Sequence, residues 1–284
     1  MRVCERSSLR LGVFLVILFA AAPAFGQAGQ SPSTMPAPVR DPQAVVLLSQ
    51  VLSRLKSTPT AITDVSLTAS ATYTAGSDQE TGTATLQALG AEQSRVTLNL
   101  DNGQRQEIRN GFMGAWSGTD GAAHPMAGHN CWADASWFYP LLTLENAAAD
   151  PTLSVAFAGP TTINGEAVEE LVLSRVMPNQ SATVTAEIQK LSTVHFYLDS
   201  SSLLPVEIEF NTHPDKNFYQ DIPLDVEFSD YRPVSGVLVP FHIQKFIQHS
   251  LLLDLEVSGA AVNSGLSAGE FALPAIPAAT GGQQ

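Results

Sequence analysis

Hydrophobic and polar residues alternate along most of this chain with a period of two. The clearest stretch is DYRPVSGVLVPFHIQKFIQ, residues 230–248. One side of it carries the apolar residues Val237, Val239, Phe241 and Ile243. The pattern predicts a β-strand with one apolar face, and that face has to be buried against a second layer of protein or against a ligand. Which of the two covers it is the question that the rest of the sequence has to answer.

Similar alternation predicts about ten strands. They fall in the segments 65–73, 94–111, 161–176, 191–210, 224–231, 230–248 and 250–260. Asn102-Gly103 and Asn164-Gly165 are predicted to form type I′ turns, because both central residues of such a turn need positive φ. Short turns make sequential strands antiparallel neighbours.

Two helical segments accompany the strands. Asp41 is predicted as an N-cap and Pro42 as the first helical residue, and apolar residues then recur at helical spacing as far as Leu55. A second helix is predicted within 131–151, with Pro140 either in its first turn or at its start. The predicted fold class is mainly β (α+β): a curled antiparallel sheet, or incomplete β-barrel, with an N-terminal helix and a second helical cover segment.

The two ends of the chain have different compositions from the middle. Residues 1–26 are predicted to be a signal peptide, since three arginines precede a short apolar run, LGVFLVILFAAAPAF. We therefore expect an exported protein, in the periplasm or outside the cell. Residues 27–40 and 275–284 are predicted to be a flexible linker and a disordered tail. Residues 41–274 would then form one folded domain.

Charge and cysteine content narrow the possible partners. The formal net charge is −13, so the surface repels phosphate backbones and nucleic acid is excluded as an expected partner. Beyond the signal peptide no apolar run reaches membrane-spanning length. Cys131 is the one cysteine outside the signal peptide, so we expect a buried small hydrophobic residue rather than a disulfide.

Candidate chemistry is confined to one loop. His124, His129 and Cys131 are ligand types for zinc, and Asp134 would complete a set of four. All four come from one short segment, so we predict neither a metal nor another cofactor. A Cys131–His129 nucleophile pair has no evident third group to orient the base. We expect no enzymatic activity, and keep a metal or catalytic site at the His124–Cys131 loop as a second alternative.

Aromatic residues are concentrated near the predicted second helix. The cluster, together with one residue of the opening strand, consists of Trp116, Trp132, Trp137, Phe138, Tyr139 and Phe241. Large aromatic side chains either fill a core or line an apolar ligand cavity. We take these six as candidate ligand-lining residues.

The C-terminal part of the chain resembles a known family. The motifs are HFYLDSSSLLPVEIEF, VEFSDYRPVSGVLVPFHIQ and LEVSGAAVNSGLSAGEFALP, all within residues 190–274. They resemble the LolA/LolB-like outer-membrane lipoprotein-carrier superfamily, with Gly236 at a turn and Pro240 in the returning strand. The resemblance implies an incomplete barrel whose concave face holds acyl chains or a lipid-modified peptide. The aromatic segment 112–150 has no counterpart in that pattern.

The function expected from these features is that of a non-catalytic carrier or binding protein. Its ligand would be a lipid, an acyl chain or a lipoprotein, held in an apolar concavity. The alternative is an envelope protein-interaction or sensor module with the same fold and a filled core. The two differ in whether the aromatic residues line a space or occupy it.

Overall fold

A computed structural model describes residues 37–276. The helices are α1 (Pro42–Leu55), α2 (Pro140–Ala149) and α3 (Ala182–Ser192), with short 3₁₀ turns at Gly128–Cys131 and Ala268–Phe271. The strands are β1 (Asp64–Ala75), β2 (Asp78–Leu89), β3 (Gln93–Leu100), β4 (Gly103–Asn110), β5 (Met113–Ser117), β6 (Ala123–Pro125), β7 (Leu153–Ile163), β8 (Glu166–Arg175), β9 (Val194–Asp199), β10 (Pro205–Thr212), β11 (Ile222–Val234), β12 (Val237–Ile247) and β13 (Ser250–Val262). The predicted signal peptide, residues 27–36 of the predicted linker and residues 277–284 of the predicted tail lie outside the described residues.

The strands form one 13-stranded sheet in the order β6-β5-β4-β3-β2-β1-β13-β12-β11-β10-β9-β8-β7. All neighbouring strands in it are antiparallel, as the short turns predicted. Two runs of sequential strands, β1–β6 and β7–β13, meet where the first strand pairs with the last. Strands β6 and β7 are the two edges, so the sheet does not close. The predicted fold class is confirmed.

Three of the strands, β2, β5 and β6, were not predicted. Strand β2 gave little hydrophobic signal because its core-facing positions include Glu80, Gly82 and Ala84. Gly82 is required by close packing, since a Cβ there would lie 2.0 Å from the carbonyl oxygen of Asn99 on β3. Small residues let strands approach closely, and the same residues hide the strand from a search for alternating large hydrophobic side chains.

The two predicted Asn-Gly turns have different outcomes. Asn164-Gly165 joins β7 to β8 with φ values of 51° and 87°, which confirms the type I′ prediction. The prediction for Asn102-Gly103 is wrong. Gly103 already pairs with Leu100, so the connection is Asp101–Asn102, and of these residues only Gly103 has positive φ, at 125°. Gly103 supplies the unusual backbone conformation as the first residue of the returning strand.

Helices α1 and α2 pack on one face of the sheet, called here the core face. Helix α1 has Asp41 as its N-cap, as predicted, and buries an apolar stripe that packs on α2 and β7. Pro140 is the first residue of α2, where its missing N–H costs no hydrogen bond. Helix α3, between β8 and β9, was not predicted. Ser181 caps it by accepting a hydrogen bond from the backbone of Val184.

The last residues of the predicted linker contact the sheet in the structure. Arg40 forms a parallel bridge with Val155 on the edge strand β7, and its guanidinium donates to the carbonyl of Ala147 at 2.6 Å. Across residues 37–276, no helix combines the length and the hydrophobicity that a bilayer crossing requires.

The opposite, outer face carries the acidic residues expected on a solvated surface, but part of it is crowded. Glu207 lies opposite Glu227 on β11, with Glu209 and Asp225 as the next cross-strand pair. Asn164, at the tip of the β7–β8 hairpin, reaches over to donate to Glu227. Burial, followed by repulsion from three neighbouring carboxylates, raises the pKa of Glu207 to about 7.

We expect Glu207→Gln to stabilise the protein at neutral and alkaline pH. A carboxyl whose pKa is higher in the folded state than in the unfolded state destabilises the fold once it is ionised, so the cost develops between pH 4.5 and about 7. Above pH 7 the variant should be about 1–2 kcal/mol more stable, and the difference should vanish near pH 4.5. Urea unfolding at both pH values measures this. The exposed Glu166, changed to Gln, is the control and should show no comparable difference.

Candidate functional site

A cavity of about 370 Å³ lies against the core face. Its apolar lining consists of Val96, Leu98, Leu252 and Leu253 together with the aromatic rings of Tyr73, Trp116 and Trp137. Strands β4 and β12 both contribute to it, although five strand steps separate them in the sheet. On a flat sheet those strands would be about 24 Å apart. The sheet therefore curls, and the cavity lies inside the curl.

Cross-strand register places the lining residues. Glu107 on β4 is opposite Val96 on one side and Trp116 on the other, so all three point to the same face. On the far wall Lys245 of β12 is opposite Leu253 of β13. Alternation with period two therefore brings charged side chains of β4 and β12 to the apolar core face.

Two of the cationic groups near the cavity are neutralised by partners. Arg105 makes two 2.7 Å hydrogen bonds to the carboxylate of Glu80. Arg109 donates from Nε to Glu107 at 2.8 Å, and from its guanidinium to the backbone carbonyl of Asn130 at 3.0 Å. These are charge-assisted pairs of the strong type.

The third cation, Lys245, has no such partner. Its side chain is 9% exposed, and its ammonium lies 4.2 Å from the centroid of the Trp137 ring. Within residues 37–276, no carboxylate lies within ion-pair distance of this ammonium, and the ammonium donates no hydrogen bond. Burial lowers the pKa of Lys245 to about 8, with attraction to Glu107 opposing the shift. The side chain is thus buried while its ammonium faces the cavity, and a cation–π contact is its one close partner among the described residues.

The carboxylate nearest to this cation is held in its ionised form. Burial acts to raise the pKa of Glu107, but attraction to Arg109 and Lys245 and the hydrogen bond from Arg109 outweigh burial, so the pKa is lowered. Asp134 shows the opposite result: burial raises its pKa, and its Oδ2 has no partner among the described residues. Because its pKa is lowered, Glu107 stays ionised near neutral pH and is a poor proton donor or acceptor there.

The structure places the six predicted ligand-lining residues in different surroundings. Trp116 and Trp137 line the cavity, Trp116 being 46% exposed and Trp137 2% exposed. Phe138 and Tyr139 are completely buried in the main core. Trp132 stacks on the ring of Phe112, and Phe241 is half-buried beneath the guanidinium of Arg232.

The predicted metal-ligand candidates are not brought together. His124 stacks on Trp116, with 4.5 Å between ring centroids. The ring of His129 faces the carbonyl of Pro214 at 3.2 Å. Cys131 is buried, as predicted, and donates weakly to the carbonyl of Ala127. Burial raises the pKa of the Cys131 thiol, which disfavours the thiolate that a nucleophile or metal ligand requires.

A different set of ligating atoms comes together on the outer face. His242, Asp254 and Glu256 bring one ligating atom each to within 4.8 Å of one another, on strands β12 and β13. His242 Nε2 lies 2.8 Å from Asp254 Oδ1, the geometry of an ordinary cross-strand ion pair.

The charged residues of the cavity were missed in the sequence, although a signal for Lys245 exists. The apolar side of the opening strand runs through Val237, Val239, Phe241 and Ile243, and the next position on that side is Lys245. A charged residue that continues an apolar face is a candidate buried charge. The same period on β4 places Arg105, Glu107 and Arg109 on one face.

Comparison with known proteins gives matches in structure and none in sequence. No family model matches the chain, and no curated protein matches it. A DUF1329 family protein from Desulfovibrio piger is similar, with 12% identity, a TM-score of 0.49, and coverage of 81% of this chain and 96% of that one. A LolA superfamily protein from Nitrosomonas europaea is similar with 11% identity, a TM-score of 0.47, and coverage of 79% and 97%.

Proposed function

We propose that this chain is an exported, non-catalytic binding protein that holds a lipid or acyl chain in the cavity inside the curled sheet. The observation that carries the proposal is the cavity itself. It is an apolar space inside the curl, bounded by Leu98, Leu253 and the ring of Trp137. Ligand sites are typically concave and mostly apolar, with a few placed polar groups, and this cavity has that composition.

Its size limits the ligand. About 370 Å³ is near the lower end of the roughly 300–1,000 Å³ that small-molecule sites occupy. Much of the remaining space inside the curl is filled by the segment 137–144, whose large side chains belong to the main core. The space therefore suits one hydrocarbon tail rather than the several chains of a large lipid. A free lipid with one chain, or one chain of a lipidated protein, is the expected cargo.

Binding without catalysis is favoured by the state of the polar groups at the cavity. Arg105 and Arg109 are each engaged by a carboxylate. Glu107 has a lowered pKa, so it is poorly suited to transfer protons at neutral pH. These groups can position and hold a ligand, and they lack the arrangement of nucleophile and base that bond cleavage requires.

Filling the cavity tests the proposal. We expect Leu98→Phe to weaken uptake of a fluorescent fatty acid about 10-fold or more, because the added ring occupies space that the ligand needs. Leu100→Phe is a matched control on the same strand and face, outside the cavity lining. Native mass spectrometry of the protein purified from its host reports bound lipid directly. Equal uptake by both variants, or no saturable uptake by the wild type, would remove the proposal.

The alternative function, an envelope interaction or sensor module with a filled core, is favoured by one observation. Phe138 and Tyr139 are fully buried and plug the core rather than line the cavity. Acrylamide quenching separates the two functions through Trp116, which is 46% exposed at the cavity. A ligand in the cavity should protect Trp116 from quenching. If the protein instead binds a protein partner elsewhere, added fatty acid should leave the acrylamide quenching of Trp116 unchanged.

A further inference from the structure

Lys245 is the one cavity cation that has no anion within ion-pair distance among the described residues, although Glu107 attracts it from farther away. Its ammonium has three N–H donors, and among residues 37–276 they meet an aromatic ring at 4.2 Å and the cavity. The side chain is more than nine-tenths buried. A ligand in the cavity that offers a negatively charged acceptor would therefore find free donors on this ammonium.

The charges around Lys245 do not cancel. The charged groups that face it or adjoin the cavity are Arg105 and Arg109 with their partners Glu80 and Glu107. Three cations with two anions leave a formal charge of +1. Asp134 also interacts with Arg109, but it is outside the cavity lining and accepts hydrogen bonds from Ser136 and Thr143, so it is not counted with the cavity. A net positive cavity in a chain of formal charge −13 is a local feature that favours an anionic ligand.

We propose that the ligand is an amphiphile with a single-chain tail and a monoanionic carboxylate head, and that the ammonium of Lys245 binds this carboxylate inside the cavity. The inference rests on the proposed function, since it names the class of ligand for the same site. The apolar walls formed by Val96, Leu98 and Leu253 take the tail, and Lys245 at the far wall takes the head.

Charge and donor count favour a carboxylate over other heads. A carboxylate of charge −1 neutralises the net +1 and accepts directly from the ammonium. A phosphate would carry a charge of about −1.5 to −2 and needs more free donors than the paired arginines leave. An ester- or amide-linked acyl chain has no carboxylate to offer. The ligand class is therefore a free long-chain monocarboxylic acid rather than the acyl chains of a lipoprotein.

The test uses four probes that share a tail: dodecanoate, methyl dodecanoate, dodecanol and dodecyl phosphate. Titration calorimetry with the wild type should show dodecanoate binding about 10- to 100-fold more tightly than the ester. Lys245→Met should lose this preference and keep the ester affinity. Lys190→Met is the matched control, because Lys190 lies on α3 and pairs with Asp221 instead, and it should bind as the wild type does.

Proton dependence provides a measurement that a purely structural role would not change. Dodecanoate affinity should fall as the pH rises above about 8, where the ammonium loses its proton, whereas ester affinity should stay flat. This pH dependence is measured on the wild type, so it tests the inference even if Lys245→Met does not fold. The neighbouring Glu107 and Arg109 stay charged through that range, since attraction holds the pKa of Glu107 low and arginine does not lose its proton.

The outcomes distinguish a failure of the Lys245 inference from a failure of the proposed lipid-binding function. Equal affinity of the wild type for acid and ester would overturn the role of Lys245 while leaving a lipid-binding cavity in place. Tighter binding of dodecyl phosphate than of dodecanoate would overturn the carboxylate assignment. No binding of any probe would remove the proposed function itself, and with it the inference.

Discussion

Replacing Lys245 with methionine is expected to raise the free energy of unfolding at pH 7 by about 1–3 kcal/mol. The wild-type side chain is buried beside a ring, and its ammonium has no carboxylate within ion-pair distance among the described residues. Methionine has a similar length, fills the same space and carries no charge to desolvate. The substitution removes a desolvation cost that no ion pair offsets at close range, which stabilises a protein core.

The pH dependence of this difference follows from the lowered pKa. Lys245 binds its proton less tightly in the folded state, at a pKa of about 8, than at the reference value of 10.5. Between these values the unfolded chain holds more protons at this site, so the wild type gains stability as the pH rises. The advantage of Lys245→Met should therefore be complete below about pH 8 and lost by about pH 10.5. Urea unfolding at pH 7 and pH 10 measures the full advantage and most of its loss.

Two results would contradict this prediction. Destabilisation of Lys245→Met at pH 7 would mean that the lysine stabilises the fold, and an advantage that persists unchanged at pH 10 would mean that its charge is not the cause. Lys190→Met serves again as control, since the exposed ion pair of Lys190 with Asp221 contributes little. A residue that weakens the fold and binds the ligand is the combination expected of a functional site.

Fold class was predictable from the sequence because alternation with period two is a local property. Each of the ten predicted strands is present, and Asp41 and Pro42 begin α1 as their chemistry requires. Strand β2 escaped prediction since its core-facing positions use small residues, as at Gly82 and Ala84. The turn at residues 101–103 could not be placed from the Asn-Gly pair alone, because cross-strand register decides which two residues form the connection.

The site was less predictable because it depends on the curl of the sheet. Lys245 continues an apolar face, which marks it as a buried charge, yet nothing local says that β12 comes close to β4. Trp116 and Trp137, two of the six predicted ligand-lining residues, line the cavity. Local pattern cannot distinguish a ring that lines a space from one that fills it, and Phe138, next to Trp137 in the chain, is entirely within the core.

Trp137 lies at the boundary between core and cavity, and Trp137→Ala is expected to lower the free energy of unfolding by about 3–5 kcal/mol. The ring is 2% exposed and packs edge-on against Phe138, so its removal leaves a large void. The indole N–H has no partner among the described residues, and its loss offsets part of the cost. Trp116→Ala, which removes a half-exposed ring from the same cavity, should cost about 1 kcal/mol or less.

Trp137→Ala should also alter ligand binding in a defined direction. Removal of the ring joins its volume to the cavity of about 370 Å³ and withdraws the cation–π contact from Lys245. Water then reaches the ammonium, and its pKa should rise from about 8 towards the value of an exposed lysine. We expect Trp137→Ala to accept longer or branched fatty acids than the wild type, and to bind dodecanoate at pH 9 with less loss relative to pH 7. A variant that keeps wild-type stability and chain-length preference would show that Trp137 neither fills the core nor limits the cavity.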